Sequence, residues 1–172
     1  LFSGLLWGDR ESLSKAATAY RAVLEVFTFE WTPLDWATAQ NLLGLTLSTQ
    51  GERERSADLQ ENGIEAYRQA LRFWSRYPES PDYAMTEYDL GKALHSLSMS
   101  RSSRGESQEL TSLLEESIAS FEASLRVFTL EKVPDEIRHK YPRVYFTSPL
   151  RDYKEDQLQR YIEMQKKKGC KA

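Results

Sequence analysis

One cysteine, two histidines and no long apolar run: these scarcities bound the chain more tightly than its average composition does. A lone Cys170 cannot close an internal disulfide, so secretion gains no support. A reducing compartment, the cytoplasm or the interior of an organelle, is the expectation. The thiol stands among Lys166, Lys167, Lys168 and Lys171, which could activate it, but an inert tail cysteine is the simpler reading. No stretch approaches the roughly 18 apolar residues that span a bilayer, so no transmembrane segment is expected, and no basic-then-apolar leader opens the chain. It begins Leu1-Phe2-Ser3 without a methionine, which points to a processed chain or a piece of a longer one.

The same scarcity empties the usual chemical constellations. His95 and His139 are far apart in sequence and Cys170 is remote from both, whereas zinc ligands pair at short spacing. No metal and no cofactor is expected. Gly91-Lys92-Ala93 brushes the end of a phosphate loop, but Ala93 replaces the hydroxyl residue and Thr86 stands where the first glycine belongs. No Gly-x-Ser-x-Gly elbow is present. The acidic pairs Glu115-Glu116 and Glu155-Asp156 are adjacent, and helical side chains one apart do not face each other, so they read as solvated faces. Nothing here supports catalysis.

Charge is unevenly placed. Residues 1–137 carry 22 acidic and 13 basic side chains, and residues 138–172 carry 10 basic and 4 acidic. An acidic body with a basic tail implies different packing or different partners for the two parts.

What the chain does have is self-similarity. Asp35-Trp36-Ala37, Leu43-Gly44 and Leu47 recur as Asp82-Tyr83-Ala84, Leu90-Gly91 and Leu94, displaced by 47 residues. A second string, Ala16-x3-Tyr20-x2-Val23-Leu24, returns as Gly63-x3-Tyr67-x2-Ala70-Leu71 and as Ser117-x3-Phe121-x2-Ser124-Leu125. Both have the spacing of one helical face. In the second, a small residue sits one turn before an aromatic ring, which lets a neighbouring helix come close while the ring fills its groove. A mid-helix glycine costs about 1 kcal/mol against alanine, so its return at one place in both copies argues for packing. Thr32-Pro33-Leu34-Asp35 and Ser80-Pro81-Asp82 are helix starts. Gly51 and the run from Ser98 to Gly105 read as turns.

These strings resemble the tetratricopeptide repeat family, whose motif sets Leu-Gly on a first helix and small-x3-aromatic-x2-Ala on a second. The resemblance covers about residues 9–137. The family's period is about 34 residues, and the longer spacing here is similar to its long-linker bacterial variety. Gln40 and Glu87 stand where the family places a tryptophan; Trp36 and Tyr83, one turn earlier, are candidates to fill that space. The resemblance implies an all-α, helical-hairpin repeat solenoid with a C-terminal capping helix. Residues 1–137 would hold a partial repeat over 1–31 and repeats over about 32–77 and 78–131. Residues 138–172 would hold a degenerate repeat, broken at Pro142, then a helix from Ser148-Pro149 with Leu150, Tyr153, Leu158, Tyr161 and Ile162 on one face, and the basic tail.

Function follows from the resemblance as a protein-interaction scaffold without catalysis. Its first helices would line a concave groove with Thr38, Asn41, Leu45 and Ser48, then Met85, Tyr88, Lys92 and His95. The family's carboxylate-gripping lysine and asparagine are not reproduced. Tyr88, Lys92 and His95 instead suit a peptide or helix of a partner subunit with some acidic character. Packing on the degenerate repeat is the competing use of the same residues. Two alternatives stay open: a structural subunit of a large assembly, or a regulatory repeat segment of a multidomain signalling or protease protein. The tail lysines Lys166, Lys167, Lys168 and Lys171 could touch an acidic protein or, peripherally, an anionic membrane. They lack the interleaved aromatics that stack bases, so nucleic acid is not favoured, and lysines closing a helix explain them without a ligand.

Overall fold

The computed structural model describes residues 10–105 and 110–127, and there the chain is all-helical. Five helices follow one another: α1 (Arg10–Val26), α2 (Pro33–Glu54), α3 (Ala57–Trp74), α4 (Pro81–Ser103) and α5 (Leu110–Val127). The linker and helix expected beyond Val127, the start before Arg10 and the basic tail lie outside the described residues.

Both expected starts begin helices, at Pro33 and Pro81, though only the second carries a side-chain cap. Ser80 caps α4 by accepting from the Tyr83 amide at 3.1 Å, with Pro81 in the first turn. Ser56 does the same for α3 through the Leu59 amide at 3.3 Å. Each bond satisfies one of the four amides a helix start leaves open. Thr32 precedes Pro33 but makes no side-chain cap on α2; its hydroxyl turns back to the Thr28 carbonyl.

Two expected turns are helix instead. Gly51 lies inside α2, which runs on to Glu54. A Cβ there would lie 2.7 Å from the Gln60 backbone nitrogen, so this glycine admits the start of α3 rather than ending α2. The reversal falls on Arg55, left-handed at φ 53°, where its amide and that of Ser56 bond back to the carbonyls of Glu52 and Gly51. Serines 98–103 likewise stay in α4: Ser98 is buried and donates to the His95 carbonyl at 2.7 Å, and Ser103 donates to that of Ser100 at 2.7 Å. Such back-bonding satisfies the hydroxyl without leaving the helix. The turn comes at Gly105, at φ 76°.

The core is a series of small clusters, one per helix junction. Ala17 of α1 meets Leu43 and Leu47 of α2 and Ala66 of α3. Trp36 and Ala37 of α2 meet Ala70, Phe73 and Trp74 of α3. Ile64 and Tyr67 of α3 meet Leu90, Leu94 and Leu97 of α4. Tyr88 of α4 meets Ile118 and Phe121 of α5. Packing is heaviest between sequence neighbours, with α2 also touching α4.

The recurring strings occupy matching places in two hairpins. In α2–α3 the Tyr67 ring lies on Gly44, where a Cβ would meet it at 2.8 Å; in α4–α5 the Phe121 ring lies on Gly91, where a Cβ would meet it at 3.1 Å. One turn before each ring, the small residue reaches the glycine's carbonyl. Gly63 is so close that its own Cβ would stand 3.0 Å from the Gly44 oxygen, and Ser117 donates its hydroxyl to the Gly91 oxygen at 2.8 Å.

The two hairpins differ in what could give way. At Gly63 a Cβ would meet the Ser48 backbone nitrogen at 2.8 Å, and backbone cannot rotate aside; at Gly91 only the Phe121 ring must shift. Gly63→Ala should therefore cost about 2 kcal/mol or more. Gly91→Ala should stay within about 1 kcal/mol of the parent, because alanine's helix preference offsets the ring's displacement. Urea unfolding of both variants checks this ranking, and equal losses would refute it.

Candidate functional site

The expected groove residues fall on one stripe of α2 and one of α4, but burial divides them. Thr38 and Lys92 are exposed; Asn41, Leu45, Met85 and His95 are half-buried; Ser48 and Tyr88 are buried. Leu45 packs against the α3–α4 cluster. Ser48 is 7% exposed and lies against Gly63, inside its own hairpin. Tyr88 is 9% exposed, with its ring 5.8 Å from that of Phe121. These two side chains are therefore held within the hairpins, and a partner on this stripe would meet Thr38 and Lys92 first, with Asn41, Met85 and His95 half-buried beside them. Lys92 holds its ammonium 5.6 Å from the Tyr88 ring centre, one turn away, a cation–π contact that steers it along α4. Lys166, Lys167, Lys168 and Lys171 lie outside the described residues.

Among the described residues, concave surface also lies elsewhere, between α3 and α5 along α4. Two clefts adjoin there. One, of about 440 Å³, is lined by Glu61, Asn62, Glu65, Arg101, Ser112 and Leu113 among others. The other, of about 320 Å³, is lined by Leu71, Glu87, Leu90, Ala119 and Ser120. Arg68 and Glu116 line both and stand between them. Their pairing is bidentate, Arg68 Nε donating to Glu116 Oε1 at 3.0 Å and Nη2 to Oε2 at 2.7 Å. This fork geometry is the stronger kind of ion pair. The hydrogen bonds from Arg68 to Glu116 raise the guanidinium's pKa, against the opposite pull of partial burial. No local pattern in the sequence announces this bridge, because its partners sit on helices two apart.

Glu87 is the unusual group of the second cleft. Desolvation, helped by the nearby Glu116 carboxylate, pushes its pKa above the usual carboxylate range; hydrogen bonds from Ser120 and Tyr83, and the charge of Arg126, pull the other way. Tyr83 is in turn raised, chiefly by burial and then by the Glu87 charge. Glu87 is one of the two positions where the resemblance led to an expected tryptophan, and its signal in the sequence was that departure. A half-buried carboxylate thus stands where the resemblance had led to a ring.

Among the described residues no three of His, Cys, Asp and Glu gather closely enough to hold a metal ion, and no helix is long and apolar enough to cross a membrane. No family model, curated protein or solved structure matches the chain.

The raised pKa of Glu87 has a definite sign. The folded state holds this proton more tightly than the unfolded chain, so its contribution to stability is full below the ordinary carboxylate pKa. That contribution is lost as pH rises through the raised value. Glu87→Gln, which stays neutral, should melt above the parent at pH 7, with the gap closing as pH falls below the usual carboxylate range. Thermal melts across pH check this; a variant that melts at or below the parent at pH 7 would contradict it.

Proposed function

We propose that the chain is a helical-hairpin repeat segment of the tetratricopeptide type, acting as a non-catalytic scaffold for a partner protein. The observation that carries this reading is the duplicated seat: a ring on a bare glycine, and a small residue on that glycine's carbonyl, in α2–α3 and again in α4–α5. Such units bury their apolar faces only against neighbours, so they stack in series and leave long side surfaces open. The serial clusters of the core accord with that arrangement.

The partner would lie along the stripe of Thr38, Asn41, Met85 and Lys92, with Lys92 favouring an acidic side chain. Burial leaves Thr38 and Lys92 as the residues a partner can read without disturbing a hairpin. A second reading, a structural subunit held on several sides by neighbours, draws support from exposed apolar residues. Trp31 is 86% and Val26 74% exposed, and such side chains gain most from being covered.

The two exposed stripe residues provide the test. Thr38→Glu with Lys92→Glu should release a partner captured by the parent protein, while the melting temperature stays within a few degrees, since neither side chain is buried. Glu65→Lys, on the α3–α5 side, should retain it. Quantitative affinity capture with all three proteins checks the proposal. An identical partner set on the stripe variant, or its loss only with Glu65→Lys, would move the binding surface off α2 and α4.

A further inference from the structure

Arg72, in the last turn of α3, and Arg76, in the turn that follows it, are both exposed, and both sit over one ring, Phe29 of the linker between α1 and α2. The guanidinium carbons are 4.8 and 5.2 Å from its centre. Arg72 is also 5.7 Å from the Trp36 ring, which meets Phe29 edge-on at 5.1 Å. Like charges this close repel, and the shared ring offsets that by attraction through its π face.

Contact with a ring consumes none of a guanidinium's N–H donors. Arg72 gives one of its own to Gln69 at 3.0 Å. Ion pairs among the described residues engage Arg10, Lys15, Arg68 and Arg101, but neither Arg72 nor Arg76. Two exposed cations in an otherwise acidic body thus keep most of their donors uncommitted among the described residues. Their flanks in sequence are apolar: Trp31, two residues after Phe29, is 86% exposed, and Tyr77, next to Arg76, is 53% exposed. Arginine with tryptophan and tyrosine is the composition of energetic centres in protein interfaces.

We propose that Arg72 and Arg76, held over Phe29, form a docking site for an acidic protein segment bearing two carboxylates one helical turn apart. Guanidiniums that share the Phe29 ring stand within about 10 Å of each other, a gap that two Glu side chains four apart on a helix, with Cβ atoms about 5–6 Å apart, can span. Each guanidinium offers a fork to one carboxylate. The site is separate from the α2–α4 stripe and would serve a second partner segment, or a second region of the same partner.

The probe is a synthetic alanine-based helix of about 14 residues with two Glu four apart, compared with a twin carrying Gln at both places. Tryptophan emission reports binding, since the Trp36 ring lies 5.7 Å from the Arg72 guanidinium. The parent should bind the Glu peptide about tenfold more tightly than the Gln twin, and added salt should erase most of that preference. Arg72→Gln with Arg76→Gln should abolish the preference. Arg72→Lys with Arg76→Lys keeps charge and bulk, and serves if the Gln variant folds poorly; it should lose a good part of the preference because ammonium lacks the fork. Equal binding of the twins by the parent would overturn the proposal, as would a full preference in either arginine variant. Loss of the preference in Lys92→Glu alone would overturn it too, by assigning the acidic segment to the α2–α4 stripe.

Discussion

When an aromatic ring of one helix lies on the bare Cα of another, the two backbones stand too close for any side chain between them. The rest of this molecule depends on that distance. Once Tyr67 is on Gly44 and Phe121 is on Gly91, the residue one turn before each ring must be small, and it is: Gly63 in one hairpin, Ser117 in the other. The same closeness brings the Ser117 hydroxyl onto the Gly91 carbonyl and forces Gly51 to be bare where Gln60 passes. Stability then comes from several modest clusters in sequence, each burying a few residues worth about 1.5–3 kcal/mol apiece, rather than from one centre.

Polar cross-links tie the series together, one of them from the buried Gln60. Gln60 donates to the Ser96 hydroxyl at 3.1 Å, joining α3 to α4. Arg104 donates to the Arg55 carbonyl at 2.8 Å, joining the end of α4 to the turn between α2 and α3. Arg68 and Glu116 join α3 to α5. An exposed ion pair contributes little singly, so the Arg68–Glu116 bridge sets register more than it adds stability. Between them remain the surfaces proposed for partners: the α2–α4 stripe around Lys92, and the arginine pair over Phe29. The α3–α5 clefts, crossed by an ion pair and floored in part by a reluctant carboxylate, are less suited to an extended segment.

The helices and their seats were legible in the sequence because they depend on local spacing. Gly44, Gly91, Tyr67 and Phe121 announced themselves by recurrence, and the Ser80-Pro81 start by cap chemistry. Gly51 was misread as a turn because a glycine that ends a helix and one that admits a neighbour look alike along the chain. Ser48 and Tyr88 were placed on an open groove because a position in a motif does not say how deeply its side chain is covered. The Arg68–Glu116 bridge and the two guanidiniums over Phe29 left no trace in periodicity. Each needs two segments to meet at a given angle, and that angle is set by the seats themselves.

If the ring-on-glycine seat governs the hairpin, Gly44 and Tyr67 must be energetically coupled. A double-mutant cycle with Gly44→Ala and Tyr67→Leu, read by urea unfolding, tests this directly. The alanine methyl should be costly beneath the rigid ring and much better tolerated beneath the flexible leucine. The double variant should then be more stable than the sum of the single losses predicts, by about 1 kcal/mol or more. Losses that add within about 0.3 kcal/mol would mean that the ring does not press on the glycine, and that the hairpins are set by something other than their closest approach.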